Sequence, residues 1–461
     1  MLPHPPPVCP QEHTRRLGTG IIKYAVRVLL LSTYDLGHQP FGLASPAAWL
    51  REDGHEVTVC DLSREKLPSE VVLQADWVAF HLPMHTATRM ALPRLEAIRR
   101  LNPAVRLCAY GLYAPVNEAL LRRHGVEHVI GGEFEQALAG LISGRLARTL
   151  PVVLDRLPFR TPDRIGLPGL DRYAHLLHDG QRVLAGYTEA SRGCKHLCRH
   201  CPIVPVYEGR FRVVPRDVVM ADIRQQVAAG ARHITFGDPD FLNGPGHALP
   251  LVEAFHAEFP GLTYDVTIKV EHLLRHPEAL PVLARTGCLF VTSAVESLDD
   301  AVLARLAKGH TRADFLLALK ATRAHGLTML PTFVTFTPWT TRVAYLDLLR
   351  TIRDLDLIGS VPPIQLAIRL LIPAGSKLLE FTDPGPVEFD AAALQYRWKH
   401  PDPSMDLLCS DLQKIVRAAD KRGVARTETF GEIWERAFGE PPDFHLAARA
   451  TVPYLNEPWY C

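Results

Sequence analysis

The sequence predicts an α/β protein in three parts: a doubly wound, Rossmann-like sheet, then a (β/α)6 partial TIM barrel, then a mostly helical C-terminal extension. Three observations predict it. From Val26 onward, five short apolar runs alternate with helix-like stretches. From Val183 the alternation resumes for six further strand–helix units. After residue 386 the strand character fades and helical patterns remain. Short apolar strands alternating with helices indicate parallel sheets covered on both faces.

In the first part the expected strands are 26–31, 56–60, 77–80, 105–110 and 128–130, with helices at 46–53, 87–101, 116–124 and 134–141. Ligands of such sheets sit at the carboxyl ends of the strands, near the switch point. The loops there are 32–41, 81–86, 111–114 and 131–133. A dinucleotide would want G-x-G-x-x-G after the first strand. The chain instead reads Ser32-Thr33-Tyr34-Asp35-Leu36-Gly37-His38, so that fingerprint is absent. Residues 1–24 hold Pro3, Pro5, Pro6 and Pro7 and no apolar core of signal-peptide length, and are expected to be a loose tail. Residues 25–150 are the first domain. Residues 151–183, punctuated by Pro158, Pro162, Pro168 and Gly169, read as a linker that packs across two domains.

The barrel is assigned to 184–385. Its expected strands are 183–189, 233–237, 263–268, 289–295, 329–336 and 364–371, and its helices 216–228, 249–259, 278–285, 298–308, 312–325 and 342–355. Ser297 is the expected N-cap of the fourth helix, with Asp299 and Asp300 in its first turn and Lys308-Gly309 closing it. The extension, 386–461, is given helices at 390–398, 405–419 and 430–438.

Composition excludes several classes of partner. Lys and Arg number 51 against 50 Asp and Glu, for a net charge of +1. That balance argues against nucleic acid or an anionic membrane. No apolar run approaches the roughly 18 residues of a spanning helix. Nine cysteines are an odd number and too few for a disulfide framework. A cytoplasmic setting is expected, where thiols stay reduced.

Three cysteines are closely spaced. Cys194-Lys195-His196-Leu197-Cys198-Arg199-His200-Cys201 has the pattern C-x3-C-x2-C, just after an expected strand. Three thiolates on one loop can wrap a [4Fe–4S] cluster. Four irons and three cysteines leave one iron open to a substrate or cosubstrate. A zinc site would need a fourth ligand such as His196 or His200. Cys288, the next cysteine, reads as a buried apolar residue.

The spacing is the signature of the radical S-adenosylmethionine (SAM) superfamily, which the chain resembles. In that family Cys194, Cys198 and Cys201 would be the cluster ligands, and the open iron would chelate the amino and carboxylate groups of SAM. Cleavage of the sulfonium then yields a 5′-deoxyadenosyl radical. The resemblance also implies contacts at the strand ends. The second barrel strand ends Phe236-Gly237-Asp238-Pro239-Asp240, where relatives bind the methionine amino group. Gly237 lets backbone approach closely, and Asp238 or Asp240 can accept from an ammonium. The more usual Gly-Gly-Glu is absent. Lys269 ends the third strand. Ser293-Ala294-Val295-Glu296-Ser297 resembles the stretch whose acid contacts ribose or methionine, so Ser293 and Glu296 are candidates, followed by Lys308-Gly309-His310-Thr311. His200 stands where an aromatic residue is frequent and can stack on adenine. Period-2 spacing at 365, 367 and 369 points Gln365 and Arg369 inward, and a buried Arg suits a carboxylate. The blander alternatives are a helix N-terminal acid for Glu296 and an ion-pair partner for Arg369.

The order and size of the first domain resemble the cobalamin-binding domains in front of many radical enzymes. Some carry D-x-H-x-x-G, whose His ligates cobalt. Here Asp35-Leu36-Gly37-His38 puts the His one place late, so His38 is not taken as a ligand. The resemblance implies a cobalamin without protein imidazole on cobalt, its lower face left to solvent or to Met84 or Tyr113. Ser32, Thr33, Met84, Gly111, Tyr113, Gly131 and Gly132 are the candidate cobalamin contacts. The alternative is a structural domain whose ligand site has decayed.

The tail, Pro453-Tyr454-Leu455-Asn456-Glu457-Pro458-Trp459-Tyr460-Cys461, resembles a family of cobalamin-binding radical SAM proteins. Their chains continue past this Trp-Tyr-Cys to end Cys-Cys-Ala-Glu-Pro, or CUAEP with selenocysteine. One expectation is therefore an in-frame UGA after Cys461, with Cys461 as half of a thiol–selenol pair and a candidate catalytic residue.

Three functions follow. The first is a cobalamin-dependent radical SAM enzyme that transfers methyl, or otherwise modifies a small molecule or peptide. It would draw electrons from a donor such as flavodoxin or ferredoxin. The second handles sulfur, selenium or another soft element through the tail cysteine. The third is a cluster- and corrinoid-binding sensor without turnover. A tRNA methylthiotransferase would share the cysteine spacing but append a basic β-rich module, which the helical C-terminus does not offer.

Overall fold

The computed structural model describes residues 25–380, 388–444 and 452–456. The first sheet contains β1 (Arg27–Ser32), β2 (Glu56–Asp61), β3 (Trp77–His81), β4 (Arg106–Tyr110), β5 (His128–Gly132) and the short β6 (Val152–Val153). They are parallel and ordered β2-β1-β3-β4-β5-β6. Alternate residues face opposite layers. Leu29, Leu31, Val78, Phe80 and Leu107 meet the helices His85–Leu101 and Glu118–Arg123 on one side. Val28, Leu30, Trp77, Ala79 and Tyr110 meet Phe41–Glu52 and Glu135–Ile142 on the other. That two-sided burial is why the strands read as unbroken apolar runs.

Helix Phe41–Glu52 starts ahead of the expected 46 and runs through Pro46. Pro46 has no N–H for the carbonyl of Gly42, four residues back. The Tyr110 hydroxyl donates to that carbonyl instead, at 2.8 Å, so no backbone acceptor is stranded there.

The second sheet is a curled half-barrel. β7 (His175–His178) and β8 (Gln181–Thr188) form a hairpin; after the short β9 (Ser191–Gly193) and β10 (Phe211–Val213) come β11 (His233–Phe236), β12 (Thr263–Thr267), β13 (Cys288–Glu296) and β14 (Thr328–Phe333). β8, β11, β12, β13 and β14 are parallel. Helices such as Arg216–Ala228, Arg312–Ala324 and Arg342–Asp354 cover the outside. Residues 175–178, placed in the linker from sequence, are thus a strand of this sheet.

The expected sixth strand at 364–371 does not form. Pro363–Leu366 is a 3-10 turn, and only Phe336 and Arg369 make an isolated parallel bridge. Pro362 and Pro363 cannot donate to a ladder. The Gln365 side chain substitutes: its Oε1 accepts from the Phe333 backbone N–H at 3.0 Å. The N-cap also moves. Asp299, not Ser297, accepts from Ala301 and Val302 backbone N–H.

The C-terminal extension brings a second correction. The expected helix at 390–398 is a hairpin of β15 (Glu388–Asp390) and β16 (Gln395–Arg397). Asp390 Oδ1 accepts from the backbone of Ala392 and Ala393, a turn device that competes with helix. Helices Pro403–Arg422 and Arg426–Phe438 follow and pack Leu408, Leu412, Ile433 and Trp434 into the barrel core. Finally β17 (Tyr454–Leu455) pairs antiparallel with β7 at the sheet edge. Among the described residues no helix is long and apolar enough to cross a membrane.

The two sheets meet at their carboxyl ends. Arg192 of β9, 7% exposed, lies 2.7 Å from Glu135 and 2.7 Å from Glu189, and 3.5 Å from Glu133 beyond β5. Its guanidinium also lies over the rings of Phe41, Phe134 and Phe159. Arg164 spans the same joint, bonding Asp222, Gln39 and the Tyr187 carbonyl.

Candidate functional site

The cysteine loop leaves β9 at the carboxyl rim of the half-barrel. Gly193 turns it there with φ +73°, and a Cβ would strike Arg210 O at 2.5 Å. Asn243, fully buried after β11, holds the loop: its Oδ1 accepts from the Lys195 backbone at 3.1 Å. Cys194 and Cys198 are buried and Cys201 partly so. Burial raises the Cys194 thiol and pushes Cys201 up to about 12. A cationic centre reverses that preference toward thiolate. Lys269 Nζ stands 3.7 Å from Cys198 Sγ.

Glu296 ends β13, where the register with β14 shifts. Its backbone lies in the left-handed region, φ +69°, a conformation that persists only where the surroundings impose it. Lys308 Nζ lies 3.2 Å and His200 Nε2 3.1 Å from its Oε1. Burial works against its charge, but Lys308 and His200 hold the carboxyl well below the usual range. Burial likewise opposes the Lys308 charge, and Glu296 raises it above the ordinary lysine value. The structure therefore brings together His200, Glu296 and the three cysteines. It adds Lys308, legible in Lys308-Gly309-His310-Thr311, and Asn243, for which the sequence offers no signal.

Among the buried polar atoms on this rim without a hydrogen-bond partner are Thr188 Oγ1, Ser293 Oγ, His200 Nδ1 and His310 Nδ1. Buried groups of this kind are normally paired. Their grouping beside three thiols fits a polar ligand such as SAM next to a cluster.

Other candidates are placed differently. Asp238, 3% exposed, turns toward the protein: Oδ2 accepts from Ala190 N–H at 2.9 Å and Oδ1 from the Ser191 hydroxyl at 2.5 Å. Burial pushes its carboxyl up to about 7. A Cβ at Gly237 would lie 1.9 Å from the Tyr187 hydroxyl oxygen, so side-chain packing accounts for that glycine. Asp240 is fully buried and faces His272 and His196. Arg369 corrects the inward, carboxylate-binding expectation. With no sixth strand to orient it, it bonds Asp406 and the Trp398 carbonyl, each at 2.5 Å, and lies over the Trp398 ring.

On the first sheet's rim, Ser32 Oγ is buried without a partner, whereas Thr33 donates to Ala87 O at 2.7 Å. Met84 precedes helix His85–Leu101 and packs on its core, as does Tyr113. Gly111 has φ +108° and a Cβ there would sit 3.0 Å from Leu82 O. At Gly131 a Cβ would strike the Pro115 ring, and at Gly132 the Val153 carbonyl, each at 2.2 Å. These glycines are filled by the protein itself. Of these candidates only Ser32 presents an unsatisfied polar atom; Asp61 Oδ2 and His81 Nδ1, at the ends of β2 and β3, are also buried without a hydrogen-bond partner. Cys461 lies outside the described residues.

Comparison with known proteins agrees with this geometry. Residues 188–347 match the model of the radical SAM superfamily, so the half-barrel is a radical SAM domain. The anaerobic magnesium-protoporphyrin IX monomethyl ester cyclase of Synechocystis sp. is 21% identical over 324 residues, covering 64% of each chain. The tRNA-2-methylthio-N(6)-dimethylallyladenosine synthase of Chlorobium luteolum is 24% identical over 218 residues, covering 45% of each. The chain thus spans less than two thirds of the length of these curated relatives. Among solved structures, the cobalamin-dependent SAM radical enzyme OxsB superposes with TM-score 0.65 at 14% identity, over 86% of this chain and 67% of that one. The radical SAM methyltransferase TsrM from Kitasatospora setae gives 0.57 at 19%, over 72% and 71%. OxsB was solved with aqua-cobalamin, and TsrM with cobalamin and a [4Fe–4S] cluster. The fold is therefore that of cobalamin-dependent radical SAM enzymes.

Proposed function

We propose that this chain is a cobalamin-dependent radical SAM enzyme that modifies a small molecule or peptide, by methyl transfer or another radical reaction. One observation carries the reading: three thiols of one loop share the barrel rim with four buried, unpartnered polar atoms. Cys194, Cys198 and Cys201 would hold three irons of a [4Fe–4S] cluster. Such a cluster, with SAM, supplies one-electron cleavage of a sulfonium and a carbon radical that takes hydrogen from substrate. Lys308 and His200 hold Glu296 ionised, ready to accept from hydroxyl or ammonium groups. Thr188 and Ser293 supply hydroxyls to the same rim, and His310 a ring nitrogen. A cobalamin would lie between the two sheet ends, with Ser32 as one donor.

The partners this reading needs are a low-potential electron donor, such as flavodoxin or ferredoxin, and a cytoplasmic setting that keeps thiols reduced. The test is anaerobic reconstitution with iron and sulfide, then incubation with SAM, reductant and hydroxocobalamin. Expected are 5′-deoxyadenosine by chromatography and bound corrinoid by visible spectrum, with both cluster and nucleoside lost in Cys198→Ala. Nucleoside without bound corrinoid would reduce the first domain to a scaffold. An intact cluster without nucleoside would favour the sensor.

A second reading, soft-element chemistry at Cys461, is favoured by the Trp459-Tyr460-Cys461 tail and its likeness to the CUAEP/CCAEP proteins. Cys461→Ser should then leave nucleoside formation intact while abolishing product.

A further inference from the structure

A second cluster of ligand-type side chains adjoins the cysteine loop and is not used above. His196 lies on the loop between Cys194 and Cys198. Asp240 follows β11, and His272 sits in the helix Val270–Arg275 after β12. One ligand atom from each lies within 4.8 Å of the others. His196 Nε2 is 3.2 Å from His272 Nε2 and 3.6 Å from Asp240 Oδ2. Asp240 Oδ2 is 2.7 Å from His272 Nδ1. One ion would take a single nitrogen of His272, Nδ1, which faces Asp240 Oδ2; donors held about 2.1 Å from one ion stand roughly 3 to 3.5 Å apart, so Nδ1 and Oδ2 would part slightly around it.

The pairing inside the protein is incomplete. Asp240 is 0% and His272 3% exposed. Yet Asp240 Oδ2 and His272 Nδ1, though close, are misaligned, and neither makes a hydrogen bond. Two buried polar atoms facing each other unbonded call for a third species. The surroundings supply a second feature. Glu271 Oε2 lies 3.4 Å from His196 Nδ1, leaving Nε2 to point at the cluster. A carboxylate on the far nitrogen is the usual support of a metal-ligating histidine. Asp240 Oδ1 is separately engaged with the Leu242 backbone at 3.2 Å, so Oδ2 is the atom left over.

We propose that His196, Asp240 and His272 form a metal site distinct from the cysteines, a two-histidine, one-carboxylate centre for a divalent first-row ion such as Zn2+ or Fe2+. Water completes its coordination. The ion ties the cysteine loop to the ends of β11 and β12, and so sets how firmly the loop is held. The assignment rests on these side chains and goes beyond the radical SAM reading.

The test uses the full chain, reconstituted anaerobically so that iron and sulfide occupy the cysteines, then treated with a chelator to remove mononuclear iron, offered Co2+ and desalted. Wild type should retain one Co2+ per chain, with ligand-field bands and no thiolate charge-transfer band. His272→Ala and the bulkier His272→Gln should bind it more weakly than the 10- to 100-fold that loss of an outer-shell partner costs, so by more than about 100-fold. Their sulfide content should match wild type, which shows that both variants fold and load the cluster. No Co2+ in wild type, equal retention in both variants, or thiolate bands would each overturn the site. Failure to load iron and sulfide would instead count against the cluster reading; the free cysteines would then take Co2+ as well, and loss or retention of the thiolate-free bands in the His272 variants would decide this site.

Discussion

The two sheets present their carboxyl ends to the same joint but pair their polar groups to different degrees. On the barrel rim, Thr188, Ser293, His200 and His310 are buried with atoms unpaired. On the Rossmann-like rim, Thr33 bonds Ala87, Tyr110 bonds Gly42, and Glu133 accepts from the Tyr207 hydroxyl. Its glycines are filled by Pro115, Leu82 and Val153. An unpaired buried hydroxyl is costly in an empty protein and useful in a loaded one. The barrel rim is built to receive; the opposite rim pairs more of its groups as a joint, leaving Ser32 Oγ, Asp61 Oδ2 and His81 Nδ1 among its unpaired atoms.

Breaking the joint should give the largest effect. Arg192→Met leaves Glu133, Glu135 and Glu189 buried without their cation. Removing one partner of a buried ion pair costs about 3–5 kcal/mol. Urea unfolding should register that loss; a change below about 1 kcal/mol would show the network to be dispensable. Glu296→Gln probes the receiving rim. It should lower SAM affinity, read by equilibrium binding, by roughly 10- to 100-fold with the cysteines intact. Unchanged affinity would separate Glu296 from the cosubstrate.

A pH series sharpens the same contrast. Burial, only partly offset by Arg192, raises Glu133 from 4.5 to about 7. The folded state holds that proton more tightly. Its stabilisation is complete below the ordinary Glu range and lost as pH rises through about 7. The urea midpoint should therefore fall between about pH 5 and 8. Glu133→Gln should reduce the slope, leaving the parts due to Asp238, which burial raises to about 7, and to Glu189 and Asp61, which burial also raises. Glu296, held low, stays ionised across that window. The smallest effect is expected at Arg369→Lys. The side chain is 30% exposed, and losing its stack on Trp398 should cost about 0.5–1 kcal/mol, with nucleoside formation unchanged.

Much of this arrangement was legible in the chain. Runs such as 77–80 and 128–130 become strands because both sheet faces are buried, and burial leaves a mark on every residue. The cysteine spacing was equally plain, because one loop carries all three thiols. What escaped was whatever depends on residues far apart. Gln365 and Arg369 alternate like strand residues, but Pro362 and Pro363 remove the ladder and the side chains find other partners. Residues 390–398 have helical composition, yet the Asp390 turn closes a hairpin, with Leu394 at φ +52°. Asp238 looked like a ligand by position and proves to pin Ser191. Nothing local announces that Arg192 meets Glu133 and Glu135, or that His196 meets Asp240 and His272.

The pairing of β17 with β7 bears on how the protein is made. The Asn456 side chain accepts from His175 N–H at 2.5 Å across 281 residues of sequence. A nascent chain therefore exposes the β7 edge until Tyr454 and Leu455 leave the ribosome. Contacts of such separation form late, and an unpaired strand edge is where neighbouring chains add on. Slower synthesis at lower temperature, or chaperone supply, should raise soluble yield more than any change to the finished core.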